Sequence, residues 1–129
     1  MKMSKRRMAA VAVLVALGGA ATMAAVIPRR PPVREIRLVV RDMTYYVEGE
    51  AAPNPPLRAR TGERVRVILR NDDPGMTHDF GIAAWNALTP HLQAGGEARL
   101  EFTAPVQPGT AAYACTPHGQ MMRGTVTVE

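Results

Sequence analysis

The chain has 129 residues, a formal charge of +5 at neutral pH and one cysteine. Lys2, Lys5, Arg6, Arg7, Arg29 and Arg30 supply six of the sixteen basic residues, whereas residues 31–129 hold ten Arg, no Lys and eleven acids, a balance of −1. The basic excess belongs to the N-terminus and excludes a phosphate-binding footprint on the rest; the chain beyond its apolar start suffices for one domain with a modest core, not for a large multi-part active site.

The basic residues of Met1–Arg7 precede an uncharged run from Met8 to Pro28, mostly Ala, Val, Leu, Met and Gly. A signal-peptide core runs about 7–15 residues and a membrane-spanning helix needs about 20, so this run has the length of an anchor. Residues 1–27 are therefore expected to form a hydrophobic helix that is kept as a signal anchor. A cleaved signal peptide is the alternative, with Gly19 and Ala21, or Thr22 and Ala24, as the small residues a peptidase would read. Positive charge held inside places the remainder on the periplasmic or extracellular side, membrane-anchored or, after cleavage, soluble there; Arg29 and Arg30 weaken that asymmetry without reversing it. Residues 28–34, with Pro28, Pro31 and Pro32, read as a stiff linker.

From residue 35 to 129 apolar residues recur at every second position. Ile36, Leu38 and Val40 form one set, and Val65, Val67 and Leu69 a second in which Ile68 breaks the polar side. Ala98, Leu100 and Phe102 come next, then Val126 and Val128. This is the period of half-buried antiparallel strands. Ala52-Pro53-Asn54-Pro55-Pro56, Thr61-Gly62, Asn71-Asp72-Asp73-Pro74-Gly75, Ala94-Gly95-Gly96 and Gln107-Pro108-Gly109 supply the turns. The pattern predicts an all-β, Greek-key β-sandwich with a short helical turn within Ala83–Leu88. Its arginines, spaced singly among acids, read as a solvated sheet face, so no nucleic-acid partner is expected.

An exported protein with one cysteine forms no internal disulfide, and a bare thiol in an oxidising compartment is a liability. The segment Cys115-Thr116-Pro117-His118-Gly119-Gln120-Met121-Met122 gives Cys115 a purpose by gathering thiolate, imidazole and thioether donors. Soft sulfur with imidazole suits copper, and two His and one Cys with a weak axial Met is the set of an electron-transfer copper site. The second imidazole must come from elsewhere, and His78, after the turn beyond Arg70, supplies it; alone it would read as an ordinary core or surface histidine.

With Cys-Thr-Pro-His followed by Met-Arg-Gly and alternating valines, Tyr113 two residues before Cys115, and Asn71–Phe80 as a second patch, the chain resembles the cupredoxins. This is the blue copper family that includes plastocyanin and amicyanin. The resemblance runs loosely from Leu38 to Glu129. It implies a Greek-key sandwich with one mononuclear copper ion near one end and single-electron transfer between redox protein partners by transient contact, without enzymatic activity. It implies as metal ligands His78, Cys115, His118 and an axial methionine. Met122 fits the family's Met-x-Gly-x-aliphatic pattern and shares a strand face with Gly124, Val126 and Val128. Met121 is the alternative, at the amicyanin-like spacing from His118.

Asp79 stands where plastocyanin-like members commonly have Asn, a side chain that ties the ligand loops together; here it adds negative charge near the thiolate or caps the preceding turn. His91 matches no counterpart and is expected in solvent, Phe80, Trp85 and Phe102 in packing. Tyr113 is expected to shield the cysteine from water. The expected carrier is a monomer with the membrane as neighbour, and an exported copper carrier or chaperone is the alternative function.

Overall fold

The computed structural model describes residues 25–129, so the expected helix of residues 1–27 falls almost wholly outside them. Residues 25–33 carry no regular secondary structure, and among the described residues no helix is long and apolar enough to cross a membrane.

The two-residue period is realised as β1 (Arg34–Arg41), β2 (Thr44–Val47), β3 (Leu57–Ala59), β4 (Arg64–Asn71), β5 (Gly81–Ile82), β6 (Ala87–Leu88), β7 (Glu97–Thr103), β8 (Gly109–Ala114) and β9 (Arg123–Val128). They form a four-stranded sheet in the order β2-β1-β4-β7 and a five-stranded sheet in the order β3-β9-β8-β5-β6. The helical turn is confined to a 3₁₀ turn, Ala83–Trp85, closed by Asn86 at φ 51°; Ala87 and Leu88 are strand instead.

Two pairings depart from the antiparallel expectation. β1 runs parallel to β4, from Arg34↔Val65 to Val40↔Asn71, and β3 runs parallel to β9. The cause is the crossover: after β2 the chain leaves its sheet, β3 joins the other sheet beside β9, and β4 returns in the direction of β1. Parallel partners need such a long connection, and the chain supplies it through β2 and β3.

Leu38 and Val40 of β1 and Val67 and Leu69 of β4 meet Ile82, Tyr113 and Val126 of the opposite sheet in one buried cluster. Tyr45, Phe80 and Tyr113 pack as a ring triad, with centroids 5.8 Å (Tyr45–Phe80), 5.5 Å (Tyr45–Tyr113) and 5.2 Å (Phe80–Tyr113) apart. Ile68, the apolar intruder on the outer face of β4, is 3% exposed. Its register partners are Arg37 and Arg99, whose aliphatic stems can cover it while their heads stay in water. On that face Arg64 and Arg66 of β4 engage Glu101 of β7, and Arg66 also engages Glu35 of β1.

Tyr113 is paired with Gly124 across β8 and β9, and its ring lies over that glycine while its hydroxyl donates to Pro55 O at 2.7 Å. A Cβ at 124 would fall within 2.6 Å of Tyr113 Cε1. Gly124→Ala is therefore expected to force the buried ring aside at a cost of about 1–3 kcal/mol, read as a lowered midpoint in urea unfolding. Glu63 accepts from Arg34 Nε at 2.7 Å and from the Arg60 amide at 2.9 Å, tying β1 to the turn before β4. The Arg34 guanidinium, first among the causes, holds its carboxyl below the usual glutamate range. A lowered carboxylate pKa stabilises the fold above the unfolded-state value and loses that contribution as pH falls through the folded one. The stability difference between wild type and Glu63→Gln, small because Arg34 is half-exposed, is thus expected at pH 7 and to shrink as pH falls below the usual glutamate range in parallel denaturant titrations.

Candidate metal centre

Two loops meet at one end of the sandwich: residues 72–80 after β4, and residues 115–122 between β8 and β9. Asn71, the last residue of β4, is fully buried and shapes the first loop with its side chain. Its Oδ1 accepts the Asp73 amide at 3.0 Å, and its Nδ2 donates to Met76 O at 2.8 Å and Leu92 O at 2.9 Å. His78 is then pinned to Leu92 by two backbone hydrogen bonds of 3.0 and 2.7 Å.

The second loop closes on itself. His118 O accepts the amides of Met121 and Met122, each at 3.0 Å, and the Cys115 amide donates to Met122 O at 3.0 Å. From the β2–β3 connection, Asn54 reaches over to donate to Met121 O at 3.1 Å. Met122 is fully buried in the main core cluster with Cys115, whereas Met121 is 58% exposed. Both lie in the turn that leads into β9: Met122, tied by its carbonyl to the Cys115 amide, enters the core on the side of Val126 and Val128, while Met121 stays on the outside of the turn.

The loops bring His78, Cys115 and His118 together. Cys115 Sγ lies 3.8 Å from Nδ1 of His78 and 3.8 Å from Nδ1 of His118, and one donor atom from each residue falls within 4.8 Å of the others. Cys115 and His78 are buried and His118 is half-buried. Among the described residues no other trio of His, Cys, Asp or Glu converges in this way.

Around the trio, acids fix the imidazole and join the loops. His78 Nε2 donates to Asp73 Oδ2 at 2.9 Å, an oxygen that also accepts the Met43 amide at 2.9 Å. A carboxylate acceptor there keeps the proton on Nε2 and leaves the Nδ1 lone pair facing the sulfur. Burial works against the charge on Asp73, yet the hydrogen bonds from Met43 and His78 hold its carboxyl below the usual range. Asp79 caps no part of the preceding turn. It is fully buried, and its Oδ1 accepts the Thr116 amide at 2.6 Å, so one side chain links the residue after His78 to the residue after Cys115.

Burial pushes the Cys115 thiol above its ordinary pKa. A deprotonated sulfur in this pocket therefore calls for a cation, and one thiol with two imidazole Nδ1 atoms is a soft donor set that fits copper.

Three contributors escaped the sequence. Asp73 stands five residues before His78, and only the Asp-Asp-Pro-Gly turn hinted that it folds back. Asn54 carried no signal beyond its place in a proline-rich turn. His91 is 56% exposed in its side chain, close to the solvated state expected, yet its Nε2 lies 3.2 Å from Asp79 Oδ2. Tyr113 is turned onto Gly124 and the ring triad as a packing residue.

The family model for copper binding proteins of the plastocyanin/azurin family matches residues 68–129. No curated protein sequence matches the chain. Among solved structures, reduced auracyanin from Roseiflexus castenholzii is similar at 22% identity and a TM-score of 0.61, over 74% of this chain and 97% of that one. Auracyanin A of Chloroflexus aurantiacus, a "blue" copper protein, is similar at 18% identity and a TM-score of 0.60, over 76% of this chain and 100% of that one. A copper-containing nitrite reductase from Thermus scotoductus is similar at 27% identity and a TM-score of 0.56, over 76% of this chain but only 28% of that one. The auracyanin likenesses establish the fold. The family match spans both loops with all their donor residues, so that residues 68–129, which carry the trio, are similar to the copper-binding proteins of the plastocyanin/azurin family on a fold shared with the auracyanins.

Proposed function

We propose that the protein is a one-electron carrier with a single type 1 copper. The observation that carries this reading is the convergence of a buried thiol and two imidazole Nδ1 atoms already fixed by the surrounding loops. His78 Nδ1, Cys115 Sγ and His118 Nδ1 would hold the ion, with Met122 as the axial ligand and Met121 as the alternative. Bound copper supplies the Cu(I)/Cu(II) interchange.

The chain's own residues keep the donors in place, so that changing the charge of the site calls for little movement. Asp73 orients His78, Asp79 locks the His78 loop to the Cys115 loop, and Asn54 holds the backbone at Met121. Met122 and the ring triad exclude water from below. His118, half-buried and flanked by exposed Pro117 and Met121, is the proposed electron exit, through an apolar patch suited to the small, transient contact of a redox partner. The adjoining apolar groove of about 440 Å³ carries no titratable side chain except Cys115, which favours a carrier over an enzyme. Gly119 stands where a dinuclear oxidase-type site would want a second cysteine. Export and tethering through residues 1–27 complete the proposal, with a donor and an acceptor outside the cytoplasmic membrane.

A copper carrier without electron transfer is the second reading, favoured by the exposed thioether of Met121 beside the ligand loop. Loading the full-length, detergent-solubilised protein with Cu(II) separates the two. An intense blue absorption that bleaches reversibly on reduction is expected, and a colourless site that takes only Cu(I) would refute electron carriage. Among single variants, Met122→Leu is expected to move the copper reduction potential on the order of tenfold in the Cu(II)/Cu(I) ratio, about 59 mV for one electron. Met121→Leu is expected to move it far less, and the reverse order in redox titration would make Met121 the axial ligand.

A further inference from the structure

The residue facing Asp79 from outside the ligand loops is His91, which the copper site as described does not use. Asp79 is 0% exposed in its side chain, and its two oxygens are treated differently. Oδ1 accepts the Thr116 amide, whereas Oδ2 is buried without an aligned hydrogen-bond donor. His91 Nε2 lies 3.2 Å from that second oxygen, within ion-pair reach, while its ring is 56% exposed. A buried carboxylate oxygen left without a partner is costly, more so when the group is charged.

The placement of His91 results from backbone register. His78 and Leu92 form an antiparallel bridge through two hydrogen bonds. Thr89 continues the pairing, its amide donating to Phe80 O at 2.9 Å and its Oγ1 accepting the Phe80 amide at 3.0 Å. With 78 set against 92 and 80 held to 89, two residues, Pro90 and His91, stand across from the single residue Asp79 as in a β-bulge, and the His91 imidazole is the one that reaches the carboxylate. The imidazole is thus built over the carboxylate by four hydrogen bonds, none of which involves its own ring.

We infer that His91 is a positioning and charge-balancing residue for the copper site, acting through Asp79. By facing Oδ2 it offsets the negative charge that Asp79 places next to the Cys115 loop, and so raises the reduction potential above what the bare carboxylate would allow. This rests on the electron-carrier reading, because charge near the thiolate matters to function only if the ion changes oxidation state. An unbalanced carboxylate favours Cu(II) and lowers the potential. His91 also stands half in solvent, at the margin between the metal pocket and whatever approaches it.

The test is a double-substitution cycle on the copper-loaded, full-length protein. His91→Ala alone is expected to shift the Cu(II)/Cu(I) ratio at fixed potential about threefold toward Cu(II), about 30 mV for a one-electron couple. The same substitution in the Asp79→Asn background is expected to leave the ratio unchanged. Equal shifts in both backgrounds, or none in either, overturn the inference. Thermal unfolding of the same four proteins without copper reads the coupling independently of redox chemistry: non-additive losses in Tm support the pair, and additive ones overturn it. Failure of the wild type to turn blue would strike the electron-carrier reading instead, and the copper-free cycle distinguishes that outcome from a failure of the pair.

Discussion

A single hydrogen bond, from the Thr116 amide to Asp79 Oδ1, joins segments 37 residues apart in the chain. Its importance lies in where it acts. Asp79 comes directly after His78 and Thr116 directly after Cys115, so fixing one to the other fixes the separation of imidazole and thiol. The rest of the copper end elaborates this constraint. Asn71 folds the first loop so that Asp79 points inward, and the β8–β9 hairpin delivers Thr116 to meet it. Tyr45 donates its hydroxyl to Asp79 O and anchors the same residue to the core. A junction this short tolerates little displacement, because the Asp79 carboxylate is buried and would lose this partner without gaining one from bulk solvent.

The same end of the molecule concentrates most of its buried polar side chains. Asn71, Asp73, His78, Asp79 and Thr89 are buried, and each of them makes a hydrogen bond into the loops around the donors. The opposite end is closed by aliphatic contacts among Ala59, Val65, Ala104 and Val128, with Trp85 against Phe102 at 5.3 Å. The labour is divided: apolar burial supplies much of the cohesion of the sandwich, and the polar network specifies geometry where geometry matters. An apolar substitute for such a network could be as stable, but it would not orient a lone pair.

Much of this was legible from residue order. Alternation placed Leu38, Val40, Val67 and Leu69 inward, and the crowding of sulfur and imidazole between Cys115 and Met122 marked the metal end without any knowledge of the fold. Alternation counted back from Val128 also separated Met122 from Met121, although both lie in the turn just before β9. What stayed hidden was partnership. A period of two states which face a side chain takes but not which strand lies beside it, so the parallel pairing of β1 with β4 left no trace. Asp73 and His91 were hidden for a related reason, because a lone acid or histidine in a turn looks the same whether it faces water or a buried oxygen. Asn54 holds Met121 across 67 positions, a reach that no local pattern encodes.

The pairing of β3 with β9, Leu57 against Val126, closes a long loop of chain, and such closures come late because their entropy must be lost before their contacts form. Until β9 docks, Met122 has no core to enter and Cys115 no lid. Under the export proposed above, the interval before that docking is when the one thiol of the chain is vulnerable. Completion of the last strand and protection of the sulfur are one event, and the speed of folding becomes a guard against oxidative damage.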